Sequence, residues 1–244
     1  MELVLFALMG WLVGALVNRA ADNLPVQCSP FNAPQCPYCG TLRPVGDQLA
    51  VSRFLLWRGY CSNCHAPIAL RAPLVEIANA SAYVFLWARY GTTPQWFLSA
   101  IYTTIFLLVF VTDWEHRLIF NVVILPAIAF AALASPFSNL GWQRSLLGGV
   151  CAFVIVFAIY IFSGVFARVR RIEIAGGAFG QGDVTLATFV GIVTGFPAVL
   201  AAIVYAILLG GVGAISVLAY ELLVHRRCAL TATIPYAPFF CIAG

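Results

Sequence analysis

The chain contains no lysine: all 13 of its basic side chains are arginine, set against 9 acidic ones. Charged residues fill only 9% of its 244 positions, hydrophobic residues fill 62%, and mean hydropathy is +0.96. A soluble domain carries about 25% charged residues, so this deficit excludes an ordinary water-soluble globule and leaves a polytopic membrane protein. No basic stripe interleaved with aromatics is present, which argues against a nucleic-acid partner. The net charge of +4 instead suits an anionic lipid surface. No Ser/His or Cys/His constellation supports serine or cysteine catalysis, and no convincing internal repeat of the transporter type is found.

What the chain has is apolar runs, at about 3–17, 73–88, 94–112, 118–134, 145–167, 183–195 and 197–224. A last one begins near Ala229 and stops at Gly244, short of the roughly 20 residues a straight span needs. The first run follows Glu2 rather than a basic segment, and Arg19 comes after it, the pattern of an uncleaved span with its N-terminus outside. The run starting at Asp183 is short, and Gly195-Phe196-Pro197 marks the turn after it. The expected fold is an all-α polytopic membrane protein, a bundle of seven to eight transmembrane helices with a small cytoplasmic zinc-binding insertion. Its expected parts are a first span at 1–17, a polar insertion at 18–72 and a membrane domain at 73–244.

Orientation follows from the arginines. If 18–72 is cytoplasmic, Arg19, Arg43, Arg53, Arg58, Arg71, Arg117, Arg168, Arg170, Arg171, Arg226 and Arg227 share that side, and only Arg89 and Arg144 lie opposite. That asymmetry predicts a cytoplasmic insertion and a periplasmic N-terminus.

Within the insertion stand Cys36-Pro37-Tyr38-Cys39 and Cys61-Ser62-Asn63-Cys64. Two such knuckles at this separation bring four thiolates round one tetrahedral Zn²⁺, the closed geometry of a structural site. A segment this small cannot bury enough core to hold itself together, so metal ligation gives the cysteines a purpose. Redox pairs or disulfides suit a reducing compartment less well. His65 adjoins the last cysteine as a candidate substitute ligand or a solvated side chain. Cys28, Cys151, Cys228 and Cys241 have no ligand spacing and read as packing residues.

Two carboxylates stand out at membrane boundaries. Asp183 closes Gly180-Gln181-Gly182-Asp183 just before an apolar run, with Gly176 and Gly177 upstream. Glycines without a Cβ admit unusual dihedrals and close approach by another backbone. An ionisable group at such a boundary is a functional-site hypothesis, although a helix cap is the plainer role. Asp113 lies in Thr112-Asp113-Trp114-Glu115-His116-Arg117, a cluster that also fits a solvated interfacial loop. Two crossings separate the aspartates, so both return to the same membrane face, where they could oppose each other. Two close carboxylates cannot easily both ionise; sharing a proton, one acts as base and the other as acid. That equips them to activate water against a peptide carbonyl. Glu115 and His116 are neighbouring alternatives without a glycine-rich partner. Glu76, near the cytoplasmic end of the second span, either partners Arg71 or has a functional role.

These residues, taken in order, resemble the bacterial prepilin peptidases, the type IV leader peptidase family of Gly-x-Gly-Asp aspartic proteases. The similarity includes Asn18-Arg19, Leu24-Pro25, both Cys pairs, Arg58-Gly59-Tyr60 and Arg71-Ala72-Pro73-Leu74-Val75-Glu76. It continues through Asp113 to Ile119, Gly180 to Val184, and Ile234-Pro235-Tyr236-Ala237-Pro238-Phe239. The resemblance implies Asp113 and Asp183 as the catalytic pair, supported by Gly180 and Gly182. It implies cleavage of prepilin and pseudopilin leaders on the cytoplasmic side of the inner membrane. It also implies N-methylation of the new terminus with S-adenosylmethionine, an activity tied to the Cys36, Cys39, Cys61, Cys64 domain. Two positions depart from the family pattern: Phe120 stands where Pro is usual, and Thr185 where Lys is usual. The rival reading is a non-catalytic transporter or scaffold whose two aspartates relay a proton or cation. Whether Asp113 and Asp183 meet separates the two.

Overall fold

A computed structural model describes residues 2–26, 29, 35–36, 38–42, 49–55, 59–61, 63–67, 69–170, 180–220 and 237–244. Expectations attached to Cys28, Pro37, Arg43, Arg58, Ser62, Arg171, Gly176, Gly177, Arg226, Arg227, Cys228 and Ile234-Pro235-Tyr236 lie outside the described residues.

Among the described residues the regular structure is helical, and β pairing is limited to two isolated bridges. The helices are α1 (Glu2–Asn23), α2 (Ala50–Leu55), α3 (Arg71–Tyr90), α4 (Pro94–His116), α5 (Asn121–Ala134), α6 (Trp142–Arg170), α7 (Gln181–Thr194), α8 (Ala198–Tyr220) and α9 (Ala237–Ala243). A 3₁₀ turn, Ser135–Phe137, follows α5. Four of them, α1, α4, α6 and α8, are long and apolar enough to cross a membrane. Their large exposed apolar side chains, such as Leu12, Val154 and Leu208, are what lipid-facing surfaces require, since a helix satisfies its backbone internally and can face hydrocarbon.

Several helices outrun their apolar runs. α1 continues past Val17 through Asn18 and Arg19, and the Asn18 Nδ2 there donates to the Ala72 carbonyl at 2.8 Å. α4 continues to His116, which places Asp113 inside its last turn rather than after it. α7 begins at Gln181, so Asp183 is its third residue. With 14 residues it is about 21 Å long, shorter than the roughly 30 Å hydrocarbon core.

The chain forms two compact units, Met1–Val111 and Thr112–Gly244. In the first, α1 lies along α3 at very close range. A Cβ on Gly10 would stand 2.8 Å from the Ala80 Cα, and one on Gly14 would stand 2.8 Å from the Glu76 Cα. Small residues at such a crossing let two membrane helices meet backbone to backbone. Asn79, fully buried, ties the crossing by donating to the Gly10 carbonyl at 2.8 Å. Trp96 and Ala100 of α4 close the same core against Phe6 and Tyr83.

In the second unit α7 is the enclosed element, packed by α5, α6, α8 and α9. Leu186, Ala187, Phe189 and Val190 are essentially inaccessible, which accounts for a helix apolar on every side. Its contact with α6 is backbone on backbone: a Cβ on Gly148 would lie 2.2 Å from the Gly191 carbonyl oxygen. Asp183 therefore sits in the first turn of the most enclosed helix of its unit.

Candidate functional site

Asp113 and Asp183 belong to the same unit. Asp113 is 6% exposed in the last turn of α4. Its Oδ2 accepts a hydrogen bond from the backbone N–H of Ala237, 3.2 Å away and 124 residues further along the chain. The Asp183 carboxylate lies near enough to act on Asp113 through its charge, as does the Arg117 guanidinium. Asp183 is half-buried, and its Oδ2 accepts from the Gly180 N–H at 3.0 Å. The capping role considered from sequence is thus real: a carboxylate three residues into a helix reaches back to an amide that has no partner within the helix. It occupies only one oxygen. The same carboxyl group caps α7 and keeps its Oδ1 for other chemistry.

The turn carrying Asp183 comes close to the segment after Asp113 because of Gly182. A Cβ there would meet Ile119 Cβ at 2.8 Å, a distance real side chains do not tolerate. Gly180 is less crowded; a Cβ on it would stand 3.6 Å from Asp183 Oδ2, beside the carboxylate itself. α4 ends with Arg117 at φ 54°, its N–H donating to the Asp113 carbonyl at 2.9 Å. This left-handed stop turns the chain out of the helix immediately after the aspartate. Trp114, Glu115, His116 and Arg117 are exposed, and Glu115 lies 3.9 Å from His116. The neighbouring alternatives thus stand on the solvent side of α4 while Asp113 points inward.

The two departures from the family pattern also have local explanations. Thr185 Oγ1 donates to the Gly182 carbonyl at 2.8 Å, bracing the glycine turn from within α7. Phe120 precedes α5 at φ −80° and ψ 116°, close to the φ that proline imposes, so the backbone path is one proline would also take.

In the other unit the four knuckle sulfurs, Cys36, Cys39, Cys61 and Cys64, all lie within 4.8 Å of one another. Cys36 Sγ is 3.7 Å from Cys64 Sγ, and Cys39 Sγ is 3.8 Å from Cys61 Sγ. A tetrahedron of Zn–S bonds about 2.3 Å long has edges of about 3.8 Å, so the donor set and its spacing fit a closed metal site. The two knuckles repeat one design 25 positions apart. Cys36 N–H donates to Thr41 O at 3.0 Å and Gly40 N–H to Cys36 O at 2.9 Å, matched by Cys61 to Ala66 at 2.9 Å and His65 to Cys61 at 3.0 Å. His65 stands where Gly40 stands, at φ 55° against 68°. Its role is the left-handed turn rather than ligation, and it follows four sulfurs that already complete a set. The Thr41 hydroxyl and amide, donating to sulfur, bring the Cys39 thiol down to about 6. The Cys64 and Asn63 amides likewise lower Cys61. Both shifts favour the thiolates a metal binds, whereas Cys64, despite the Ala66 amide, is pushed up to about 12 by desolvation and by its bonds to the other three sulfurs.

Glu76 does not partner Arg71, which pairs with Asp22 of α1. It is fully buried and accepts from Trp11 Nε1 at 2.7 Å, Ala50 N–H at 2.7 Å and Val51 N–H at 2.9 Å. The carboxylate thereby pins the start of α2 to the α1–α3 pair. α2 in turn reaches the second knuckle, where Arg53 Nη2 donates to the Tyr60 carbonyl at 2.6 Å. Sequence reasoning missed this anchorage, and it missed Ala237 as a partner of Asp113. A signal for the latter existed, since Ala237 lies in the C-terminal motif that carries part of the resemblance.

The fold and site together define a polytopic helical membrane protein with two neighbouring carboxyl groups in one unit and a cluster of four cysteine sulfurs in the other. The type IV leader peptidase family model matches residues 100–215, and that of the bacterial peptidase A24 N-terminal domain matches residues 8–90. Curated relatives include the prepilin leader peptidase/N-methyltransferase of Bacillus subtilis, 27% identical over 95% of this chain and 87% of the relative. The protein of the same name from Pseudomonas aeruginosa is 27% identical over 97% and 86%. No solved structure matches. The chain belongs to the type IV leader peptidase family, a family of membrane aspartic proteases.

Proposed function

We propose that the chain is a prepilin leader peptidase in which Asp113 and Asp183 activate water against the carbonyl joining leader to mature pilin. The observation that carries this reading is the pairing, in one unit, of two carboxylates that interact through their charges, each with one oxygen held by a backbone amide. With a single proton between them, the ionised member takes a proton from water as the water oxygen bonds to the carbonyl carbon. The protonated member gives its proton to the carbonyl oxygen. When the resulting diol collapses, the C–N bond breaks and the amine nitrogen receives the proton held by the first carboxylate. The diol proton returns to the second. The products are a leader acid and a free amino terminus, and the pair is restored.

The relatives' names give prepilins as the substrate class, and the pseudopilins of type II secretion are proposed beside them on the family resemblance. Gly182 supports the reaction by letting the Asp183 turn close onto Ile119, and Gly180 by leaving space beside the carboxylate. The arginine asymmetry puts the insertion, Asp113 and Asp183 at the cytoplasmic face and the N-terminus in the periplasm. In this reading residues 18–72 form the cytoplasmic domain, and Cys36, Cys39, Cys61 and Cys64 would hold a structural Zn²⁺ that cross-links its two knuckles. The relatives' names couple cleavage to N-methylation, and the same second activity is proposed here. A cavity of about 340 Å³ lined by Leu147, Val150, Cys151, Val154, Ile155 and Phe196 offers S-adenosylmethionine no polar group for its adenine, ribose or carboxylate. It does not fit that cofactor.

Co-expression with a prepilin tests the proposal. The wild-type chain should shorten the prepilin by its leader, and Asp113→Asn and Asp183→Asn should not. A wild-type chain that leaves every prepilin intact, even with Thr185→Lys, would favour the proton or cation relay.

A further inference from the structure

We propose that the backbone amide of Ala237 is a positioning group of the peptidase centre, fixing the Asp113 carboxylate so that one oxygen stays committed to the protein and the other to the reaction. The inference rests on the peptidase reading of Asp113 and Asp183 and extends it to the C-terminal helix.

The two aspartates are held by one device drawn from different parts of the chain. At Asp183 the donor is local, the Gly180 N–H at 3.0 Å. At Asp113 no local donor serves, because the residue lies in the last turn of α4, where backbone N–H groups are used within the helix and the unpaired groups are carbonyls. The donor comes instead from Ala237, the first residue of α9, at 3.2 Å. In each case the bonded atom is Oδ2, and among the described residues Oδ1 accepts no hydrogen bond from the protein. A water held between the pair and the proton they exchange need one oxygen from each carboxylate.

Restraint matters because an aspartate carboxyl rotates broadly about its last torsion. A misplacement of about 1 Å costs on the order of 10²-fold in rate. One amide bond to Oδ2 narrows that rotation. α9 is moored well enough to serve. Ala237 and Phe240 are 0% and 2% exposed, Pro238 is buried, and the Phe239 ring lies over Gly213 of α8, where a Cβ would stand 2.6 Å from Cζ. The second turn of α9 also borders the aspartate, with Cys241 within reach of its charge.

Proline is tolerated in the first turn of a helix and carries no N–H, so Ala237→Pro deletes the donor at a helix position that accepts proline. The expected result is a kcat for prepilin cleavage lowered about 10- to 100-fold with KM unchanged, whereas Ala237→Gly, which keeps the N–H, loses less than about threefold. A static infrared spectrum gives a readout independent of activity. The carboxyl band assigned to Asp113 by its loss in Asp113→Asn should move in Ala237→Pro and stay in place in Ala237→Gly. Should Ala237→Pro fail to fold, Gly213→Val lifts Phe239 and α9 while leaving the amide chemically intact, and it should likewise lower kcat and move the band. A kcat within twofold of wild type together with an unmoved band in the folded variant would overturn the inference while the peptidase reading stands. If the wild-type chain cleaves no prepilin, the peptidase reading falls, and an unmoved band would then separately refute the amide–carboxylate bond.

Discussion

Each unit of the molecule buries a carboxylate against backbone amides, and the two differ in how completely the carboxylate is satisfied. Glu76 accepts three hydrogen bonds spread over both oxygens. Asp113 accepts one, on a single oxygen, beside a second acid. A buried carboxylate with both oxygens engaged is a joint, because three of its roughly four acceptor sites are already directed at the protein. A half-satisfied one beside another acid remains reactive, because it still has an oxygen for water and a neighbour with which to share a proton. Burial and the membrane setting do not distinguish them. The number of donors does.

Removing the reactive acids should have the largest effect. Asp113→Asn or Asp183→Asn should lower prepilin cleavage by at least about 10²- to 10⁴-fold with little change in thermal stability in detergent. The double substitution should cost little more than either alone, since residues acting as a unit are strongly non-additive. Processing assays on the three variants check this, and a double variant whose loss is the product of the single losses would mean independent roles.

The acid with both oxygens engaged should respond the other way. Glu76→Ala leaves the buried Ala50 donor and the part-buried Val51 and Trp11 donors without their acceptor, at about 1–3 kcal/mol for each group that water does not reach. A destabilisation of at least about 1–3 kcal/mol is expected, read as a fall in unfolding temperature. The kcat of whatever folded fraction remains should be near normal. A stable Glu76→Ala variant with no activity would reverse the assignments of joint and reactive group.

Cys36→Ser examines the thiolate module that Glu76 supports through α2. Protein purified without added zinc should carry about one Zn²⁺ per chain, and the variant far less. The 36–64 region should become protease-sensitive while the membrane helices, whose backbone bonds are internal, stay folded. Two disulfides and no metal in cytoplasmically expressed protein would refute the tetrathiolate.

Smallest of all should be the changes at the edge of the reactive site. Glu115→Gln, on the exposed side of α4, should leave cleavage within a few-fold of wild type. Phe120→Pro, at a backbone angle proline accepts, should hold or raise the unfolding temperature, by about 0.4–1 kcal/mol of stability if the ring fits. Loss of cleavage in Glu115→Gln would move the acid–base role off Asp113.

Much of this could be read from the residues in order. Apolar runs announce helices because a chain in lipid must satisfy its backbone internally, and paired Cys-x-x-Cys spacing announces a tetrathiolate because one metal needs four sulfurs close together. Asp113 and Asp183 are visible because acids are expensive at membrane boundaries. The sequence by itself thus determined the all-helical membrane character, the four sulfurs and the two candidate acids, each through chemistry carried by the side chain. Tertiary structure decided the partners: Asp22 rather than Glu76 for Arg71, a turn rather than a metal for His65, three donors for Glu76 and the Ala237 amide for Asp113. For Asp113, and for two of the three bonds to Glu76, the donors are backbone N–H groups that every residue except proline possesses. A donor common to all positions leaves no mark in composition or spacing, and only the folded chain selects which of them reaches a given carboxylate.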